Sequence, residues 1–136
     1  MEVLLVDDDA DCAHIAMTAA TMANVGFNIN LVVDGIEAMD YLQKKERYMN
    51  ALRPELILLD LELPRKSGRE VLEEIREDKN LESIPVVIFS STDRFEELKA
   101  TYGLSNHSCR TKPAFLSDYV SIMKSIKERF LESRLN

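Results

Sequence analysis

The sequence predicts an α/β fold in which a mainly parallel sheet is covered by helices. Short apolar runs rich in Val, Ile and Leu recur along the 136 residues, as expected of strands that are buried on both faces. Segments with a helical spacing of apolar residues fill the intervals between these runs. Strands that alternate with helices form βαβ units, whose strands are parallel. We therefore expect one domain spanning residues 1–136, with no second domain after the last helix.

Four of the five predicted strands are apolar runs, and the fifth is placed by the architecture. Val3–Val6, Leu56–Leu59 and Val86–Phe89 are almost entirely apolar, which predicts strands that are buried on both faces. Phe27–Val33 partly alternates with asparagine, which suits a less buried edge strand. The alternation of elements requires a fifth strand near Asn106–Arg110, where the letters NHSCR are a poor strand by composition.

Five segments have the apolar spacing of amphipathic helices. The last is the clearest, because Phe115, Tyr119, Ile122 and Ile126 follow one another in steps of three and four residues. In the first helix several alanines share one face, and we expect Gly26 to end it. The predicted helices are Ala10–Asn24, Gly35–Lys45, Gly68–Asp78, Asp93–Tyr102 and Phe115–Leu131.

Composition narrows the function classes. The formal net charge is −7, which argues against a nucleic-acid partner, because such proteins present a basic face. No apolar run is long enough to predict a membrane span, and the N-terminal letters MEVLLVDDD lack the basic segment of a secretory signal. The chain has two cysteines, Cys12 and Cys109, which do not suggest a disulfide framework. We therefore expect a cytoplasmic protein.

Polar side chains follow the predicted strands at the point where each strand ends. In chain order they are Asp7-Asp8-Asp9, Asp60, Ser90-Ser91-Thr92 and Thr111-Lys112-Pro113. Ligands of open α/β sheets bind beyond the carboxyl ends of the strands, and right-handed crossovers bring these ends to one rim. Carboxylates without histidine or cysteine suit Mg²⁺, which bridges to phosphate oxygens. An aspartate can also become phosphorylated, with a metal ion and lysine neutralising the charge and serine donating a hydrogen bond.

This ordered set of motifs resembles the receiver domain of two-component response regulators over essentially the whole chain. The motifs are Asp7-Asp8, Asp60 within LLDLELPRKSG, Pro64 and Gly68 in that same segment, Ser90 after PVVIF, and the Lys112-Pro113 pair. The resemblance implies a flavodoxin-like, doubly wound sheet of five parallel strands in the order 2-1-3-4-5, with five helices. It also implies a stand-alone signalling switch without an output domain, rather than an enzyme.

The resemblance assigns roles to the acidic residues. Asp60 would accept a phosphoryl group from a sensor histidine kinase in a phosphorelay. Asp8 and Asp60 would bind Mg²⁺ (or Mn²⁺) through their side chains, with Asp7 acting through water. Glu62 would contribute its backbone carbonyl to the metal. Asp9, by contrast, is expected to cap the first helix, where a carboxylate accepts free backbone N–H groups.

The resemblance also assigns the residues that would hold and sense the phosphoryl group. Ser90, Ser91 and Lys112 would bind it, and Ser90 would move towards it on activation. Three residues before the lysine, receiver domains usually carry a tyrosine or phenylalanine that swings inward. Cys109 stands there instead, so the usual aromatic part of the switch is missing. The family often has a cis peptide bond before the residue equivalent to Pro113, although most bonds before proline are trans.

A narrower resemblance concerns the partner. The letters LLDLELPRKSGREVLEEIR and the long connection Lys44–Pro54 are similar to those of single-domain regulators paired with bacterial phytochromes. A phytochrome-type kinase would then be the phosphoryl donor, and an unidentified downstream protein the receiver of the signal. A homodimer stays open. Neither a membrane nor a nucleic acid is expected as a partner.

Other functions fit the residues less well. Cys12-x-His14 and its mirror at positions 107–109 would suggest zinc, but residues i and i+2 of a helix do not share a face, and Cys12 is expected to be a packed thiol. A hydrolase of the haloacid dehalogenase type would need a second aspartate where Glu62 stands. A flavodoxin would need a glycine-rich phosphate loop in place of DDDAD, which repels phosphate unless a cation intervenes.

Overall fold

A computed structural model describes residues 1–135, with side chains described as far as residue 132. Its five strands are β1 (Glu2–Val6), β2 (Asn28–Val32), β3 (Leu56–Asp60), β4 (Val86–Ser90) and β5 (Cys109–Thr111). They form one parallel sheet in the order β2-β1-β3-β4-β5. The predicted flavodoxin-like topology is therefore confirmed. Asn136, which closes the predicted 1–136 domain, lies outside the described residues.

Five α-helices cover the two faces of this sheet within residues 1–135. They are α1 (Ala10–Ala23), α2 (Gly35–Leu42), α3 (Gly68–Glu77), α4 (Glu96–Tyr102) and α5 (Leu116–Leu135). Buried residues of α1 and α5 pack on one face, and those of α2, α3 and α4 pack on the other. The molecule thus has three layers, and none of its described helices is both long and apolar enough to cross a bilayer.

The central strand shows why the apolar runs are continuous. In β3, Leu56 and Leu58 face α1 and α5, whereas Ile57 and Leu59 face α2, α3 and α4. All four side chains are at most 2% exposed. Burying one such side chain contributes about 1.5–3 kcal/mol, so both faces of the strand stabilise the sheet. The strand can therefore hold its last residue, Asp60, in a fixed place at the rim.

Several element ends differ from the sequence predictions. Helix α1 ends because Asn24 adopts a left-handed conformation (φ 54°) and its N–H donates to the Thr21 carbonyl, so Gly26 lies in the loop beyond. Helix α2 ends at Leu42, and Lys44 is also left-handed (φ 55°), which excludes the predicted end at Lys45. Asparagine and lysine at these positions gave a weaker stop signal than glycine.

The β4–β5 region also departs from its prediction. Helix α4 begins at Glu96 rather than Asp93, after Phe95, which offers no side-chain cap. Residues Asn106–Ser108 form a 3₁₀ turn, so the fifth strand is three residues long and starts at Cys109. Composition could not place this strand, because its pairing with β4 defines it.

Candidate functional site

The carboxyl ends of β1 and β3 bring three aspartates together. Asp7 and Asp8 follow β1 and Asp60 ends β3, and these strands are neighbours in the sheet. One carboxylate oxygen from each aspartate lies within 4.8 Å of the others. Asp7 and Asp60 are each 3% exposed, whereas Asp8 is open to solvent. Three oxygen ligands at this spacing fit a hard divalent cation, so the residues present can hold the predicted metal.

The three consecutive aspartates have separate surroundings. The backbone N–H of Asp7 donates to the Val32 carbonyl (3.1 Å), which continues the β1–β2 pairing into the rim. The Asp7 carboxylate accepts the N–H of Asp9 (3.0 Å). The Asp9 carboxylate turns away and accepts the N–H groups of Asp11 and Cys12 at the start of α1, which lowers the pKa of Asp9. The predicted helix cap is therefore confirmed.

Asp60 is held by its own turn and by the lysine from the neighbouring loop. Its Oδ1 accepts the N–H of Glu62 (3.0 Å), and its Oδ2 accepts from the Lys112 ammonium (2.9 Å). Burial raises the pKa of Asp60 to about 7, although the ammonium favours the charged carboxylate. The loop after Asp60 folds back tightly, because a Cβ on Gly68 would lie 2.3 Å from the Asp60 carbonyl oxygen. Glycine is therefore needed there.

Lys112 links the aspartates to the end of β4. Its ammonium also lies 3.7 Å from an Asp7 carboxylate oxygen. Burial alone would lower the pKa of Lys112, but the hydrogen bond to Asp60 and the charges of Asp60 and Asp7 outweigh burial and raise it. The Lys112 N–H donates to the Ser90 carbonyl (2.7 Å). The prediction of a cis bond before Pro113 is wrong, because every peptide bond of residues 1–135 is trans, as is usual before proline.

The side chain of Glu62 joins the site, which the sequence analysis missed. Its Oε1 accepts the hydroxyl of Ser90 (2.6 Å) and both the hydroxyl (3.0 Å) and the N–H (3.2 Å) of Ser91. Burial alone would raise the pKa of Glu62, but the hydrogen bonds with Ser90, Asp60 and Ser91, in that order, outweigh burial and hold the pKa below its usual value. The available signal was an acidic residue two positions beyond the end of β3, with a side chain long enough to reach the neighbouring strand.

The two cysteines lie in different surroundings. Cys109 is buried in the core on the side of the sheet covered by α2, α3 and α4, and burial raises its pKa. The position of the usual aromatic side chain is thus filled by a small thiol in the core. Cys12 is only partly buried, less than predicted, and burial raises its pKa too. Within the described residues, the Cys-x-His pairs at 12–14 and 107–109 do not assemble a three-ligand cluster.

Comparisons with known proteins agree with this geometry. The family described as response regulator receiver domain matches residues 3–124. Response regulator Rcp1 of Synechocystis sp. is 34% identical over 131 residues, which cover 96% of this chain and 89% of Rcp1.

Solved structures give the same result. The phosphorylated cyanobacterial phytochrome response regulator RcpA is 40% identical with a TM-score of 0.83, covering 97% of this chain and 94% of RcpA. The Mn²⁺-bound form of Rcp1 is 34% identical with a TM-score of 0.81, covering 97% of this chain and 95% of Rcp1. The chain therefore belongs to the response regulator receiver domain family, the phosphoacceptor domains of two-component signalling.

Proposed function

We propose that Asp60 accepts a phosphoryl group from a phosphohistidine of a sensor kinase. One observation carries this proposal: Asp60 ends the central strand beside two other aspartates, with the Lys112 ammonium 2.9 Å from its carboxylate. In the transfer, the P–N bond of the phosphohistidine breaks while a P–O bond forms to an Asp60 oxygen. The electron pair of the P–N bond stays on the imidazole, which takes a proton from water.

We propose Mg²⁺ as the cation of the acidic cluster. Asp8 and Asp60 would hold it through carboxylate oxygens, Asp7 through water, and Glu62 through its backbone carbonyl. When bound, the ion neutralises the charge on the phosphoryl oxygens. The like charges of the three aspartates favour binding of a divalent cation, since their repulsion falls when it is bound. Mn²⁺ is the natural substitute, and Rcp1 has been solved in its Mn²⁺-bound form.

Two strand ends supply donors for the phosphoryl oxygens. Lys112 is a compact cation that already reaches Asp60, so it needs little movement to contact a group on that carboxylate. Ser90 is 1% exposed at the end of β4, the strand next to β3. Its hydroxyl and that of Ser91 would donate to the remaining oxygens. The chain's own part in transfer is therefore to position the acceptor and neutralise charge.

The partner proposed here is a phytochrome-type sensor kinase. RcpA is described as a cyanobacterial phytochrome response regulator and is 40% identical to this chain. Beside the site, Phe115 is 70% exposed and Ile15 is 42% exposed, and both line one cleft together with Pro113. An apolar face next to the acceptor suits a docking donor domain. Cytoplasmic phosphotransfer to a downstream protein completes the proposal, and a homodimer stays open.

The test is phosphorylation by a small donor. Incubation of the chain with radiolabelled acetyl phosphate and MgCl₂ should incorporate one phosphoryl group, and EDTA should prevent it. Asp60→Asn should abolish incorporation, because the amide offers no carboxylate nucleophile. Asp93→Asn, which changes an exposed aspartate in the loop after β4, is the matched control and should label like the wild type. Undiminished labelling of Asp60→Asn would overturn the assignment.

A further inference from the structure

The carboxylate of Glu62 accepts hydrogen bonds from the hydroxyl groups of Ser90 and Ser91, at the end of β4. A single oxygen, Oε1, accepts from the Ser90 hydroxyl (2.6 Å), the Ser91 hydroxyl (3.0 Å) and the Ser91 N–H (3.2 Å). Ser90 is 1% exposed, so no solvent competes for its proton. The backbone of the same turn serves the acceptor, since the Glu62 N–H donates to Asp60 Oδ1. One residue therefore contacts both the acceptor and its neighbouring serines.

These hydrogen bonds and a phosphoryl group exclude one another. A serine hydroxyl carries one proton and can donate it to only one acceptor. In the resting structure the Ser90 hydroxyl already donates its hydrogen bond to Glu62, and its oxygen accepts the N–H of Thr92 (3.3 Å). A phosphoryl group on Asp60 would bring further negative charge towards the Glu62 carboxylate. Donation from Ser90 to the phosphoryl group therefore requires that the Glu62 bond be broken.

We propose that Glu62 is a positioning residue that holds Ser90 and Ser91 in the resting arrangement and releases them when Asp60 is phosphorylated. This inference rests on the proposed role of Asp60 as phosphoacceptor. Glu62 then affects how tightly Ser90 and Ser91 bind the phosphoryl group, because their hydrogen bonds to Glu62 must break first. Release also frees the N–H of Ser91, so the first turn of the β4–α4 loop rearranges. Such a local switch needs no aromatic side chain at Cys109.

Two variants distinguish the effect of the hydrogen bonds of Glu62 from the effect of its charge. Glu62→Asp keeps the charge but is one methylene shorter, so it loses reach to the Ser90 hydroxyl. Glu62→Gln keeps the length and an acceptor oxygen but loses the charge. Beryllofluoride, a phosphoryl mimic that needs no donor, is titrated with MgCl₂ into each protein and followed by NMR. We expect about tenfold tighter binding by Glu62→Asp, or about 1.4 kcal/mol, and less than about threefold for Glu62→Gln.

Amide hydrogen exchange in the metal-free, ligand-free protein gives a second measurement that does not involve phosphoryl chemistry. Exchange of the Ser91 N–H should be faster in Glu62→Asp and close to the wild type in Glu62→Gln. Equal affinity for beryllofluoride in all three proteins, or tighter binding by Glu62→Gln alone, would overturn the inference and leave the phosphoacceptor function intact. Failure of the wild type to bind beryllofluoride would instead overturn the proposed function, and the release step with it.

Discussion

The proton affinity of Asp60 makes the stability of the metal-free protein depend on pH. Burial raises its pKa from 3.8 to about 7 in the folded state. Between these values the folded protein keeps a proton that the unfolded chain has released. The free energy of unfolding therefore falls as pH rises through this window, and this contribution is lost above about pH 7. A tenfold difference in proton affinity is worth about 1.4 kcal/mol, which bounds the total loss at about 4 kcal/mol.

Asp60→Asn removes this titration while keeping the shape of the side chain. We would measure urea unfolding by circular dichroism, in EDTA, across the pH window between the two pKa values. The wild type should lose up to about 4 kcal/mol relative to Asp60→Asn as pH rises across it. Lys112 loses its hydrogen-bond partner in this variant, but its pKa lies far above the window, so it shifts the difference without changing its slope. Asp93→Asn should follow the wild type.

A constant difference between wild type and Asp60→Asn across the window would refute this reasoning. It would mean that the Lys112 ammonium, 2.9 Å away, fully compensates the burial of the carboxylate. Excess MgCl₂ provides an internal check, because a bound cation favours the charged form of Asp60. The slope should then become flat, and a slope that persists in saturating MgCl₂ would place the ion elsewhere.

Two further predictions concern the aspartates after β1. MgCl₂ at about 100 times its Kd stabilises the folded state by about 2.7 kcal/mol, a rise in Tm of about 10 °C for a chain of this size; an equal rise in Asp8→Ala would exclude the cluster as the binding site. Asp9→Ala should lower the free energy of unfolding, because the N–H groups of Asp11 and Cys12 lose their acceptor. The MgCl₂-dependent rise in Tm should be unchanged in Asp9→Ala, and its loss would make Asp9 a ligand.

Strands buried on both faces were the most predictable part of the fold. β3 shows why: its first four side chains, Leu56 to Leu59, are buried on one face or the other, so the apolar run is visible in the sequence without knowledge of its partners. β5 is the opposite case. Its three residues are a strand because Cys109 pairs with Ile88 and Thr111 with Ser90, and nothing in the letters CRT specifies that pairing. Helix α4 also lacked a side-chain cap that would have marked its start.

Convergence of the site residues was predictable, whereas their hydrogen bonds were not. A parallel sheet places the carboxyl ends of its strands at one rim, so the approach of Asp7, Asp8 and Asp60 follows from topology. The contact between Glu62 and the serines depends on a side-chain rotamer in a turn. No periodicity in the sequence reports such a rotamer. The side-chain role of Glu62 is therefore visible only in the three-dimensional structure.

Burial of Cys109 limits the routes by which the site can reach the surface. The thiol lies in the core and has no ring to swing inward, so a signal must leave through the backbone or through the β4–α4 loop. The backbone route is short, because Ser90 accepts the Lys112 N–H and Lys112 in turn holds Asp60. Movement of either residue acts on the chain just before the exposed ring of Phe115. If Asp60 is phosphorylated and this face docks the donor, as proposed, this hydrogen-bonded path is the shortest connection between the two.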